Sequence, residues 1–351
     1  MSERLYLDHA ATTPMITAAR KAVTEGIARW ANPSSPHAEG RAARAALEDA
    51  RARIKAVLGW EYELIFTSGA SEAIAMGLGR TQGDAFFVGA TEHDAVHRVL
   101  PAAYFISVNA DGIIAPDALA GRLGALGAKR PIVAIQSVNN ETGVMQPLTA
   151  LITIVREAGG LFFADCSQSA GKIDLPDADM IAVSAHKLGG PPGIGALLVR
   201  DLTMIAPSGG QERGYRSGTE NVPGALGFAA AVEANRGWVT RAGELRAHLD
   251  AAIKASGGEI VAATAPRIAT IASYHMPGLA SSAQLIQLDM AGIAVSAGSA
   301  CSSGSLKSSR VLAAMGWDDK AAGEVIRVSF GPQTGRADVY RFIEAWKHLR
   351  R

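Results

Sequence analysis

Two cysteines in 351 residues, Cys166 and Cys301, exclude a disulfide framework and a zinc site built from thiolates alone. So few thiols suit a reducing compartment. An excess of charge of one sign is also missing: 34 Lys and Arg stand against 33 Asp and Glu, a formal net charge of +1. No global field exists to hold nucleic acid or an anionic membrane, which argues against a general electrostatic binder of either. No apolar run approaches the ~18 residues of a membrane span. The first residues, Met1-Ser2-Glu3-Arg4, are charged, and no apolar signal region follows them. The expectation is a soluble, cytoplasmic protein that touches neither nucleic acid nor membrane.

What is present is material for a core. Hydrophobic residues make up 48% and charged residues 19%, too apolar for a disordered chain. Glycine, at 38 residues, exceeds its ordinary usage of ~7%, so tight turns and close backbone approaches are expected. At ~100–200 residues per domain the length allows two. Short apolar, β-rich runs at 63–67, 85–89, 132–137, 161–165, 180–184 and 196–200 alternate with helical patterns at 40–58, 71–80, 95–100 and 149–159. That alternation predicts an α/β fold with a mostly parallel central sheet. A long helical stretch is expected over 224–256. Strands at 259–263, 268–273, 293–296 and 326–329 and helices at 281–290, 308–315 and 337–349 follow, as a smaller α+β unit. The expected division is a large domain over 14–240 and a small domain made of 1–13 and 241–351.

Chemistry concentrates at strand ends. The run Met180-Ile181-Ala182-Val183-Ser184 is followed at once by Ala185, His186 and Lys187 and then a Gly/Pro-rich loop. A lysine there is expensive to desolvate unless its charge is lost or used, as in covalent capture of a carbonyl. A surface lysine at a strand end is the ordinary alternative. The run ending in Asp165 places a carboxylate where α/β sheets bind ligands. Such a carboxylate can keep a pyridine nitrogen protonated, although it can equally cap a helix. Asp165 precedes Lys187 by 22 residues. Thr67-Ser68-Gly69-Ala70-Ser71-Glu72 reads as a strand–glycine–helix junction, which presents free N–H groups to an anion or is a plain N-cap. His93, in Thr91-Glu92-His93-Asp94, can stack on a ring and shuttle protons, or sit as a hydrogen-bonded loop histidine. His93 and His97 have metal-ligand spacing, but no third ligand clusters with them, so no metal is expected. Cys301 lies in a Ser/Gly/Ala-rich run after a predicted strand, which argues for an accessible thiol. Cys166, against a strand end, is read as structural.

Taken together, these segments resemble fold-type-I pyridoxal-phosphate enzymes of the class-V aminotransferase branch. Within it the chain is similar to cysteine desulfurases of the iron–sulfur-cluster and nitrogen-fixation group. The resemblance is nearly full-length and rests on YLDHAATTP at 6–14, NPSS at 32–35, SGASEA, TEH, VNNETG, DCSQSAGK, SAHKLGGPPGIG, GGQERGYRSGTEN, AGSACSSGS and VIRVSFG. It implies that Lys187 carries pyridoxal 5'-phosphate on its amine and acts as acid and base. Asp165 would pair with the pyridine nitrogen, Gln168 with the ring hydroxyl, and His93 would stack on the ring. Asn140 would lie near ring and substrate. Ala70, Ser71, Ser184 and His186 would bind the phosphate, with Thr219 reaching the phosphate of a neighbouring subunit in a homodimer. Arg327 would hold the substrate carboxylate, and Cys301 would take sulfur from L-cysteine as a persulfide for a sulfur-acceptor protein. Selenocysteine lyase, or another class-V aminotransferase-like enzyme, is the alternative activity, and a catalytically silent sulfur-transfer subunit a remoter one. Ser71 stands where many members carry threonine and keeps the hydroxyl, and Pro192 stands where lysine is frequent. The chain stops soon after its last predicted helix, where members have a longer tail that helps dock a cluster scaffold.

Overall fold

The computed structural model describes residues 4–234, 237–298 and 309–349. Its first strand, β1 (Leu5–Tyr6), precedes seven strands that share one sheet: β2 (Glu63–Thr67), β3 (Ala85–Gly89), β4 (Tyr104–Ile106), β5 (Pro131–Gln136), β6 (Leu161–Asp165), β7 (Met180–Ser184) and β8 (Gly195–Val199). Their spatial order is β2-β8-β7-β6-β5-β3-β4. All neighbours are parallel except β8, which runs antiparallel to both β7 and β2. The mostly parallel sheet expected from the sequence is therefore present.

Parallel strands covered on both faces need apolar residues at every position. β5, β7 and β8 are buried throughout. Successive side chains leave a strand on opposite faces, so Phe162 joins one core and Phe163 the other. On the Phe162 side pack helices Ala38–Leu58, Pro116–Leu126, Leu148–Glu157 and Val222–Val232. On the Phe163 side packs helix Ala70–Arg80. The crossing is close: a Cβ on Gly77 of that helix would lie 2.5 Å from the Phe163 ring.

A second sheet holds β9 (Glu259–Ile260), β10 (Ile271–His275) and β12 (Val325–Ser329), all antiparallel, and β1 pairs in parallel with β11 (Ile293–Ala294). A separate core gathers Leu5, Leu7, Leu249, Tyr274, Val328, Phe342 and Trp346 under helices Trp238–Ala255 and Arg336–His348. The first residues of the chain thus pack with its last third.

Several expected boundaries need correction. The stretch 224–256 is not one helix: one helix ends at Val232 and the next begins at Trp238. Asn221 starts the first by accepting the Gly224 N–H at 2.9 Å, and Gly237 is the N-cap of the second. The strand expected at 268–273 runs from Ile271 to His275, in register with β12. The one expected at 259–263 ends at Ile260, because the chain turns at Ala262, whose φ is +52°. The helix expected at 308–315 is Arg310–Ala314, started by the Ser309 hydroxyl. Helices Thr17–Ile27 and Pro116–Leu126 and strands β1 and β4 were not expected.

Candidate active site

The C-terminal residues of three adjacent parallel strands, Gln136 of β5, Asp165 of β6 and Ser184 of β7, open onto one cleft of about 420 Å³. This is the edge of an α/β sheet where ligands bind, because the loops and helix N-termini converge there. Lys187 ends the short 3-10 turn Ala185–Lys187 directly after β7 and lines the cleft with Asp165 and His93. Ala70, Ser71, Asn140, Gln168, Ser184, His186 and Arg327 line it too. Ten of the twelve residues singled out from the sequence are brought together here. Thr219 is exposed and does not line the cleft of its own chain. Cys301 lies outside the described residues.

At one end of the cleft, Gly69 caps helix Ala70–Arg80 with φ +154°, a backbone that a side chain would strain. Among the described residues no side chain caps this helix, so its first N–H groups remain for an anion. Gly195 of β8 lets the junction approach the sheet: a Cβ there would be 2.7 Å from the Gly69 Cα and 2.5 Å from the Val183 carbonyl. Glu72, one turn in, accepts from the Ser68 N–H and pairs with Arg216 at 2.9 Å.

Along the middle, Asp165 accepts from the Ser167 N–H at 2.8 Å and the Ser167 hydroxyl at 2.5 Å, both on Oδ1. These bonds fix the carboxylate and leave Oδ2 for a partner in the cleft. Gln168 donates to the Ala10 carbonyl at 2.8 Å, while its buried Oε1 has no hydrogen-bond partner among the described residues. A buried acceptor without a donor is costly, and a ligand hydroxyl would relieve it. His93 caps the helix Asp94–Val99 by accepting the Ala95 N–H on Nδ1 at 3.2 Å. Burial, and then the Lys187 charge, lower its pKa, so the ring is neutral with its proton on Nε2. His186 is pushed down to about 4 by burial and then by Lys187.

Arg327 of β12 also lines the cleft and is almost fully buried. Its Nη1 donates to the Asn140 carbonyl at 3.0 Å and its Nη2 to the Asp8 carboxylate at 2.7 Å. Its Nε is buried without a partner among the described residues. A guanidinium edge with an unused N–H suits a carboxylate ligand.

Residues that sequence reading did not single out also shape the site. Ser167 orients Asp165, and its spacing of two from an aspartate was a local signal for such a turn. Thr13 donates from its N–H to the His186 carbonyl at 2.9 Å, and Thr12 meets the His186 ring at 3.1 Å, so the 8–14 segment braces the lysine turn. Glu92 is buried beside His93, and burial raises its carboxyl well above the usual range. Lys172 shares a second, small cavity with Lys187; burial, and then that neighbour's charge, push its amine down to about 7. Cys166 is fully buried, which pushes its thiol up to about 12 and agrees with a structural role.

The sequence from residue 5 to residue 342 matches the class-V aminotransferase family. The chain belongs to that family. Its members are pyridoxal-phosphate enzymes, and the sheet and cleft described above are those of fold type I. A protein of Gluconacetobacter diazotrophicus named cysteine desulfurase is 36% identical, over 97% of this chain and 92% of its own. A solved NifS-like protein from Rickettsia africae superposes with a TM-score of 0.91 at 30% identity, covering 99% of both chains. A structure described as SspA in complex with cysteine matches at 26% identity and a TM-score of 0.80, over 94% of this chain and 100% of that one.

The residues present fit pyridoxal phosphate. The uncapped helix start offers donors to a phosphate, Asp165 Oδ2 is available to a pyridinium nitrogen, and the orphaned Gln168 Oε1 to a ring hydroxyl.

Proposed function

We propose that this protein is a cysteine desulfurase: it removes sulfur from L-cysteine, releases L-alanine and holds the sulfur as a persulfide on Cys301. The observation that carries this reading is the single cleft in which Lys187, Asp165 and His93 face the same space as Arg327. A carbonyl-capturing amine, a ring-nitrogen partner, a neutral imidazole and a carboxylate receptor are together what an α-amino acid and a pyridoxal ring require. The similarity to named cysteine desulfurases narrows the amino acid to cysteine.

Lys187 holds the cofactor, Asp165 keeps its nitrogen protonated, and Gln168 satisfies its hydroxyl. Ala70, Ser71, Ser184 and His186 receive its phosphate, and Thr219 extends to the phosphate of a second copy in a homodimer. When bound, pyridoxal phosphate supplies an electron sink for the substrate α-carbon. Arg327 receives the substrate carboxylate and fixes its orientation, with Asn140 beside it. The Lys187 amine and the Nε2 proton of His93 serve as proton carriers over the substrate.

The Cys301 thiolate attacks the substrate sulfur. An S–S bond forms and the Cβ–S bond breaks; its electron pair goes to Cβ, which takes up a proton. Cysteine and the enzyme thiol thereby become alanine and a persulfide, with no external oxidant or reductant. A sulfur-acceptor protein then takes the terminal sulfur. For the scaffold we propose a large cofactor-holding domain over 14–240 and a small domain of 1–13 and 241–351. Among the described residues no helix is long and apolar enough to cross a membrane.

The test is incubation of the holoprotein with L-cysteine, followed by alanine quantitation and peptide mass analysis. The reading expects alanine and a gain of one sulfur on Cys301, with Cys166 unchanged. Activity confined to selenocysteine would assign a lyase instead.

A further inference from the structure

Lys187 lines two spaces. One is the main cleft, which Asp165 and His93 line too. The other is a small cavity of about 70 Å³, which it shares with Lys172. Both lysines belong to braced turns. Lys172 closes the turn after β6 and donates its N–H to the Ser169 carbonyl at 2.9 Å. Thr13, which also lines the small cavity, donates its hydroxyl to the Lys187 carbonyl at 3.3 Å. Ile16, Leu188 and Trp238 add apolar wall, and among the described residues no carboxylate lines this cavity.

The charged groups around the pair are few. The Lys187 charge acts on His93 and His186 in the main cleft and on Lys172 in the small cavity. Lys172 acts in turn on the buried His9, which is pushed down to about 4. Asp174, two residues from Lys172, is exposed and lines a different cavity. Two ammonium groups beside one apolar cavity repel each other while burial penalises both, so their protons belong to the pair. Burial, and then the Lys187 charge, bring the Lys172 amine down to about 7. Above neutral pH the pair therefore holds one proton. That proton has to move when Lys187 captures an aldehyde. The ammonium nitrogen gives up three hydrogens in forming a carbon–nitrogen double bond: two leave in water with the aldehyde oxygen, and the third leaves as a proton. The like charge beside Lys172 is then gone, and the cavity has room for water to carry the proton across.

We propose that Lys172 is the proton-holding partner of Lys187, taking up through the small cavity the proton that the Lys187 amine sheds on binding pyridoxal phosphate. The inference rests on the reading of Lys187 as the cofactor-binding amine. Lys172 lines the small cavity and not the main cleft, so it is a positioning residue that acts through Lys187.

NMR of protein carrying 13C-labelled lysine follows each amine, the Lys172 signal being the one lost in Lys172→Met or Lys172→Arg. In the wild-type apoprotein Lys172 is expected to titrate at about 7. Its midpoint is expected to rise by at least ~1 pH unit both in Lys187→Met and in the wild-type holoprotein. The second readout is proton release, followed with an indicator dye, as pyridoxal phosphate is added to apoprotein at about pH 7.5. Lys172→Met is expected to release roughly 0.5 proton per chain more than wild type, because the internal acceptor is gone. A role in packing alone moves neither the midpoint nor the proton count. If Lys172→Met does not fold, the two midpoint shifts carry the test, with Lys172→Arg assigning the signal. A Lys172 amine that titrates near the ordinary ~10.4, a midpoint indifferent to Lys187, or equal proton release overturns the proposal. Absence of a pyridoxyl group on Lys187 after borohydride reduction refutes the reading of function and the proposal with it; the other outcomes overturn the proposal with that group in place.

Discussion

Arg327, which lines the cleft, and Asp8, 319 residues apart in sequence, meet at 2.7 Å. The pair ties β12 to the N-terminal segment, and the second arm of the guanidinium holds the Asn140 carbonyl. The guanidinium proposed to receive the substrate carboxylate is therefore fixed before any substrate arrives. Arg327→Ala is expected to raise the KM for L-cysteine by the equivalent of ~2–5 kcal/mol, the cost of truncating one side of a buried charged pair. Asp8→Ala leaves the guanidinium without its counter-charge and is expected to cost about 1–3 kcal/mol of stability. Steady-state kinetics and denaturant unfolding check the two separately; an unchanged KM in Arg327→Ala contradicts the assignment.

Gly195→Ala is expected to damage cofactor binding from a distance. Its new methyl meets two backbone groups, the Val183 carbonyl and the Gly69 Cα, neither of which can swing aside. Overpacking of this kind costs typically 1–3 kcal/mol. Because Gly69 opens the anion end of the cleft, pyridoxal-phosphate affinity falls along with the melting temperature. Titration of the cofactor absorbance and a thermal melt measure both.

The central strands were legible because each is an unbroken apolar run that stops at one polar residue. Gln136, Asp165 and Ser184 mark three such stops, and they are the residues that face the cleft. β4 was illegible because Tyr104 and Phe105, exposed on an edge strand, give no burial pattern. The break near 233 was illegible because an Ala-rich apolar helix flows into another helical pattern with no proline between them. In the site, ten residues of the sequence motifs share one cleft. The contacts that brace them gave no signal in the sequence. Asp8 and Glu141 act across 319 and 168 positions, on Arg327 and Ser309 respectively, and no local spacing encodes such contacts.

Acid should weaken the fold through two histidines. Burial, and then the Lys172 charge, push His9 down to about 4, and His186 is lowered to about 4 as well. Both rings are about 6.5 when unfolded, so the unfolded chain binds more protons between those values. Their contribution is present above pH 6.5 and is lost as pH falls through about 4. Urea unfolding at pH 7, 6 and 5 should show falling stability, and His9→Gln should flatten the decline.

Cys166 should be inert to alkylation in the native protein. It is fully buried and its thiol is pushed up to about 12, so almost no thiolate exists at neutral pH. In a Cys301→Ser variant, iodoacetamide is expected to modify nothing until denaturant is added. The same variant should keep the cofactor absorbance and form no persulfide.

The central claim is that Lys187, at the end of β7, is the amine that binds pyridoxal phosphate. Borohydride reduction of the holoprotein followed by peptide mapping tests it directly. The account predicts a pyridoxyl group on Lys187 and none on the neighbouring Lys172; a label on Lys172, or on no lysine, contradicts it.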